Sequence, residues 1–241
     1  ILSWLFNVGI LYLCMGFRHF SSALTQITLA FKQNDLPSAR AALQKWTQQP
    51  SLQLTRDEIA RVAIEQGILD SYRHVFAILF WYTVCAGPLG AVLYRVASIL
   101  HLRWRQQGQD DISEFGMFAQ QVQSVLDWLP VRLTAFGFAV MGDFQDAVMC
   151  WQQQAAGWYH KNEGVLLASA AGALGIKLGD AVHQQHAVLF RPELGVGDTV
   201  EPEHLQSAIG LVWRTTVFWI AVILLISMFV SIAIIKVKAF A

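Results

Sequence analysis

The sequence is poor in charge. Asp, Glu, Lys and Arg make up 14% of its 241 residues, where soluble domains carry about 25%. Seventeen basic residues balance seventeen acidic ones, so the basic excess that favours a nucleic-acid partner is missing and none is expected. Cysteine is scarce as well. Cys14, Cys85 and Cys150 are too few and too widely spaced for a disulfide framework or a zinc site. They read as buried small apolar residues, and no metal centre is expected. Internal repeats and low-complexity tracts are absent, and the spacing of Gly172, Gly175 and Gly179 is not a Walker or dinucleotide fingerprint. The opening ILSWLF has neither the basic stretch nor the cleavage motif of a signal peptide. It starts inside an apolar run, so residues are expected to precede Ile1.

What the sequence has is apolar surface. It is 55% hydrophobic, with nine tryptophans and a positive mean hydropathy. That composition predicts an all-α, polytopic membrane protein, multi-pass in a bacterial inner membrane, with the lipid bilayer as its first partner. About three to five membrane-embedded segments are expected, some of them broken or re-entrant, with amphipathic interfacial helices beside them.

The stretch from Phe76 to Arg105 organises the chain. Two apolar arms flank Gly87-Pro88-Leu89-Gly90. Spanning a bilayer core takes about 20 helical residues, and neither arm has them. Pro88 blocks helical hydrogen bonding, so the stretch is either one kinked span or a broken, re-entrant pair. Irregular backbone at membrane depth is tolerated against protein or a wet cavity. Gly87 and Gly90 are therefore candidate site residues; the alternative is a kink without a ligand.

Upstream, Ile1 to Phe17 reads as all or part of a spanning helix ending at Arg18-His19. Leu24, Ile27 and Phe31 then share one face of an amphipathic helix. Asn34 to Pro37 opens a helix running to Thr47. Thr55 caps another that continues towards the first arm. Residues 18–74 thus form a helical extramembrane or interfacial segment with seven Lys/Arg against five Asp/Glu, a weak cytoplasmic lean.

Downstream, Glu114 to Gln123 is predicted helical. Asp127, Trp128, Pro130 and Arg132 stand at the mouth of a short apolar run ending near Gly142. Ionisable groups at membrane depth are costly and are usually paired or line a cavity. Snorkelling to the interface is the other option. Residues 143–210 form a polar extramembrane segment. Within it Gly172, Gly175 and Gly179 are a stripe for close helix contact, or a loop whose amides face an anion. His183 and His186 read as exposed loop residues. Residues 211–238 hold the clearest spanning helix, Thr215 to Ile235, with Trp213-Arg214 and Lys236, Lys238 as anchors. Asp127, Arg132, Tyr94 and Arg95 are expected to converge near the Gly87–Gly90 break. Arg95 and Arg132 would lie within about 10 Å of each other and prefer phosphate or carboxylate.

Four blocks together resemble the CobD/CbiB superfamily of integral membrane proteins, which includes AmpE-type proteins. GPLGAVLYRVASIL (87–100) looks like the family's "GG-P-G-x-x-YR-x-x-NT-x-D". VQSVLDWLPVRLTAFGFAV (122–140) resembles "RLDD-x-x-N-x-P-ARLTA". ASAAGALGIKLGD (168–180) resembles "AMAGALG-x-x-LGG", and DLPSARAAL (35–43) a "GDL-x-x-AR" stretch. The resemblance spans nearly the whole chain and makes it a single domain of this kind, 1–241. Synthase members join an aminopropanol arm to adenosylcobyric acid with ATP, which implies magnesium.

Residue by residue, the family's acids are depleted here. Of "E-x-x-x-EN-x-x-D" only Glu65 is kept; Leu69, Asp70 and Arg73 stand at the other positions. Ser98, Ile99 and His101 replace "NT-x-D". Gln123 and Ser124 replace the paired aspartates, and Asp127 the asparagine. Tyr94, Arg95, Pro130, Arg132, Leu133, Thr134 and the glycines survive. The resemblance thus implies either a divergent binding, regulatory or accessory protein of AmpE type, or an amide ligase using Glu65, Asp70 and Asp127 as substitute acids. The first would bind a small anionic or corrinoid ligand through Tyr94, Arg95, Arg132, Gly87, Gly90, Gly172 and Gly175, with partner membrane proteins. ATP and magnesium belong to the second. A small transporter is a third class, resting on the broken helix and its charges.

Overall fold

The computed structural model describes residues 17–85, 87–107, 114–184 and 187–240. The expected span at 1–17 lies almost wholly outside them, as do Cys14 and His186. The described chain is overwhelmingly helical, as expected. Helix α1 (Phe17–Lys32) buries Leu24, Ile27 and Phe31, the predicted face. Helix α2 (Leu36–Thr47) is capped by Asp35, whose carboxylate accepts from the Ser38 amide at 3.1 Å, with proline in the first turn.

Helix α3 (Arg56–Ser71) starts with a full capping box. The Thr55 side chain accepts from the Glu58 amide, and Glu58 accepts from the Thr55 amide at 2.7 Å. This satisfies two otherwise orphaned donors. The same Glu58 carboxylate reaches His183 Nδ1 at 2.7 Å, so the helix start is tied to a distant loop. Helix α3 runs without a break into a π-helical turn, Tyr72–Phe76, and then α4 (Ala77–Val84).

The chain breaks at Gly87, and α5 (Pro88–Gln107) begins on the proline. Arg95 bonds His74 at 2.7 Å. Those residues lie on opposite sides of the break, so the arms fold back on each other as a helical hairpin. Gly90 makes the closure possible: a Cβ there would stand 2.3 Å from the Trp81 carbonyl oxygen. Cys85, expected to be buried, is exposed at this turn, whereas Cys150 is buried. Cys85 stands at the rim of the hairpin's close approach, its Sγ 2.9 Å from where a Cβ on Gly90 would lie.

Helix α6 (Glu114–Met141) joins what the sequence suggests are two pieces, and carries Pro130 inside it. The Thr134 hydroxyl donates to the Pro130 carbonyl at 2.8 Å. Helix α7 (Phe144–Gln154) is capped by Asp143. After a 3₁₀ turn comes α8 (Lys161–Leu174), buried at every position from Gly164 to Ala173. It is the central helix, packed against α6 and α7. Its residues are mostly Ala, Gly and Leu, which lets backbones approach closely: a Cβ on Gly172 would lie 2.5 Å from the Asp146 carbonyl oxygen. Of the expected glycine stripe only Gly172 is a helix contact. Gly175 is the left-handed C-cap at φ +65°, and Gly179 sits in the following loop.

Residues 175–200 form a loop with short ladders. Strand β1 (Ile176–Lys177) pairs in parallel with β4 (Asp198–Thr199), and β2 (Val182–Gln184) pairs antiparallel with β3 (Ala187–Leu189). The loop is locked to α3, because Arg191 Nη1 bonds Glu65 Oε2 at 2.6 Å and Gly179 N–H donates to Glu65 Oε1 at 2.8 Å.

Helix α9 (His204–Phe240) closes the chain. Among the described residues, two helical stretches are long and apolar enough to cross a membrane: Met117–Met141 and His204–Phe229. The first extends the short run expected near Asp127. Leu89, Leu93 and Val96 on α5, Val125 and Phe136 on α6, and Val217, Leu224 and Phe229 on α9 are all exposed. That apolar outer surface suits hydrocarbon, not water.

Two outcomes follow from this packing. Gly172→Leu forces α8 off α7 and should lower the thermal midpoint in detergent, with a cost of about 1 to 3 kcal/mol or more. The second concerns acid. Burial pushes the Glu58 carboxyl up, but hydrogen bonds from Thr55 and His183 outweigh it and hold it below the usual glutamate value. A depressed carboxyl contributes stability above its unfolded value, about 4.3, and loses it as pH falls through the folded value. Glu58→Gln should therefore be less stable than wild type at pH 7. The gap should close below about pH 4, as read by thermal unfolding.

Candidate functional site

Helix spacing brings polar residues from four elements into one cleft. On α6, Gln120, Gln123, Ser124, Asp127 and Val131 follow a three-and-four repeat and share a face. Leu69, Tyr72 and Arg73 come from the end of α3 and the π turn. Ser98 and His101 come from α5, and Tyr159 to Glu163 with Leu166 from the start of α8. The cleft has a volume of about 240 Å³.

Asp127 is its anchor. Oδ1 accepts from the Tyr72 hydroxyl at 2.6 Å and the Tyr94 hydroxyl at 2.9 Å. Oδ2 accepts from Gln123 Nε2 at 3.0 Å. A carboxylate within a membrane-crossing stretch must be paired or hydrated, and three donors from three elements meet that need. Arg73 spans the rim, with Nη2 at 2.8 Å from Glu163 and Nη1 at 3.9 Å from Asp70. Asn162 donates to the Ser124 carbonyl at 3.0 Å, pinning the start of α8 to α6. That start has no side-chain cap.

One buried atom is left over. Gln123 is 7% exposed, and its Oε1 has no hydrogen-bond partner. Its amide is oriented by the bond from Nε2 to Asp127, so the oxygen is the free end.

The sequence-predicted residues divide. Of the four side chains expected to converge, Tyr94 and Asp127 are joined by a bond. Arg95 turns to His74, and Arg132 stays on its own helix, donating to the Trp128 carbonyl at 2.7 Å and lying over the Trp128 ring at 4.2 Å. Neither arginine lines the cleft, and neither do Gly87, Gly90, Gly172 or Gly175. The site stands about two helical turns beyond the break rather than at it. Of the substitute acids, Glu65 is bound to Arg191 and Gly179. Asp70 accepts from Trp46 Nε1 and Gln66 Nε2, both at 2.9 Å. Only Asp127 lines the cleft.

The cleft residues that direct reading overlooked include Tyr72, Glu163 and Lys161. Yet a signal was present. Leu69, Arg73, Ser98, His101, Gln123, Ser124 and Asp127 stand where the family resemblance pairs acids or asparagines, and all seven line this one cleft.

The profile of the CobD/CbiB protein family matches residues 1–212. The chain belongs to the CobD/CbiB family. It is 34% identical over 223 residues to a protein named "Cobalamin biosynthesis protein CobD" from Stutzerimonas stutzeri, covering 92% of this chain and 73% of that one. A protein of the same name from Chromobacterium violaceum is 34% identical over 214 residues, covering 89% and 68%. One from Synechocystis is 26% identical over 215 residues, covering 86% and 62%. No solved structure matches.

The family resemblance implies ATP and magnesium, so the cleft's donors are the relevant test. Magnesium is held by one or two carboxylates plus waters in octahedral geometry. Here both oxygens of Asp127 are occupied by three donors, and Glu163 is paired with Arg73. Among the described residues, no three His, Cys, Asp or Glu side chains group to hold a metal. A magnesium ion here would have to share Asp127 with its three donors or draw Glu163 away from Arg73.

Removing one phenol leaves Asp127 two donors. Tyr94→Phe should therefore cost about 1 to 3 kcal/mol, seen as a lowered thermal midpoint. Tyr72→Phe with Tyr94→Phe should lower it further than either alone.

Proposed function

We propose that this chain is a binding protein of the CobD/CbiB family, an accessory or regulatory member of AmpE type. It keeps the family's cleft and has exchanged its acids. One observation carries this: of the six positions the resemblance pairs with family acids, five converge on one cleft, and their side chains there are Leu69, Arg73, His101, Gln123 and Ser124; the sixth, Glu65, lies outside it. Of the cleft's two carboxylates, Asp127 is engaged by Tyr72, Tyr94 and Gln123, and Glu163 by Arg73.

The cleft is small. Ligand pockets usually run about 300 to 1,000 Å³, so the cleft's interior of about 240 Å³ suits a small anion or one arm of a corrinoid. The protein sits in the bacterial inner membrane as a multi-pass protein. The apolar α6 and α9 and the exposed apolar surface support this. Partner membrane proteins complete its role.

The relatives' shared name favours a second reading, an adenosylcobinamide-phosphate synthase with Glu65, Asp70 and Asp127 as its acids. The placement of Glu65 and Asp70 in clasps outside the cleft counts against it.

A ligase assay separates the two. The full chain in nanodiscs is given adenosylcobyric acid, aminopropanol phosphate, ATP and magnesium, beside an authentic synthase. The expected result is no amide above background. Amide formation that Asp127→Asn abolishes would overturn the binding-protein reading.

A further inference from the structure

The outer face of α6 turns away from the cleft. Val125, Trp128, Leu129, Arg132 and Phe136 recur at three- and four-residue spacing and so share it. All but the half-buried Arg132 are exposed large hydrophobic residues, and none of them lines the cleft. The strip therefore faces lipid, with Arg132 as a cation set into it.

Arg132 has no acid beside it. Among the described residues its contacts are with Trp128: Nη1 donates to the Trp128 carbonyl at 2.7 Å, and the guanidinium lies over the Trp128 ring at 4.2 Å. The other N–H donors of the guanidinium have no acceptor there. A cation on a lipid-facing surface is costly unless an anion meets it.

The direction of the side chain locates that anion. Its bond runs to a carbonyl four residues back, so the arginine extends towards the start of α6. That end carries Gln120, Gln121, Gln123, Ser124 and Asp127, whereas Leu133 to Met141 holds no ionisable residue. The guanidinium thus snorkels away from the apolar end and towards the headgroup layer. Trp128, 55% exposed, is the residue type enriched in that layer.

We infer that the outer face of α6 binds one anionic phospholipid, its phosphodiester oxygens on the Arg132 guanidinium and its acyl chains along Leu129 and Phe136. The planar fork of an arginine matches two phosphate oxygens, and the Trp128 ring holds that fork in place. A carboxylate on a neighbouring protein's helix is the competing anion. The headgroup is favoured because the side chain leaves the apolar end, where such a helix would have to bury its acid. The site goes beyond the binding-protein reading and does not depend on it, since it shares no residue with the cleft.

The test is native mass spectrometry of the full chain, released from phosphatidylcholine nanodiscs with and without phosphatidylglycerol. Wild type is expected to retain one phosphatidylglycerol in preference to phosphatidylcholine. Arg132→Gln should weaken that first adduct about 5-fold, the worth of one interfacial cation. Arg214→Gln removes an exposed cation of α9 and should leave the adduct unchanged. Should Arg132→Gln fold poorly, Trp128→Leu exchanges one exposed apolar side chain for another. It should weaken the adduct by about 2- to 5-fold through loss of the stacked ring. Equal retention of the two lipids by wild type, full preference in Arg132→Gln, or an equal loss in Arg214→Gln would overturn the inference. So would a leucine-alanine transmembrane peptide with a single glutamate that wild type holds in preference to phosphatidylglycerol, which would assign the strip to a protein partner.

Discussion

Asp127 sets the arrangement of this molecule's polar half. A carboxylate placed within an apolar helix must find donors, and it finds them on the π turn, on α5 and on its own helix. Tyr72 and Tyr94 lie on opposite sides of the Gly87 break. Both hydroxyls meet at one oxygen, so the carboxylate holds the helical hairpin shut and fixes it against α6. The cleft exists because that junction is polar where the surrounding surfaces are apolar.

The other half is held by close backbone approach. Helix α8 offers little side-chain volume and so packs tightly on α6 and α7. Its own start then falls beside Ser124, where Asn162 pins it. The loop that follows is held by two buried carboxylates, Glu65 bonded to the part-exposed Arg191 and Glu58 to the exposed His183. Truncating one partner of such a pair leaves a buried charge, which costs more than the pair itself contributes. Two acids of α3, Glu58 and Glu65, therefore act as clasps for a loop.

Local signals were legible in the sequence. The capping box at Thr55, the cap before Pro37 (at Asp35) and the break before Pro88 each depend on a few adjacent residues. The long C-terminal helix was plain from its apolar run. The site was legible only in part. Asp127 and Tyr94 were identified, and the depleted family positions mark the cleft. The arginines misled for a reason of phase. Residues five apart on a helix differ by about 140°, and neighbours by about 100°. Arg132 thus cannot share Asp127's face, nor Arg95 that of Tyr94. Glu65 and Asp70, also five apart, diverge likewise. The partnership of Tyr72 with Asp127 spans 55 positions, and no local pattern announces it. Nor does the burial of α8, since Ala and Gly give little amphipathic contrast.

The π turn at Tyr72–Phe76 has a consequence for how this stretch tolerates change. A π turn carries one residue more than an α-helix would in the same wall. Losing one residue there would rotate α3 by about 100° against α4. Trp46 would then let go of Asp70, and Leu69 would leave the cleft. Between Arg56 and Val84 the chain is thus constrained in length, and an insertion or deletion there would be felt on both sides of the π turn.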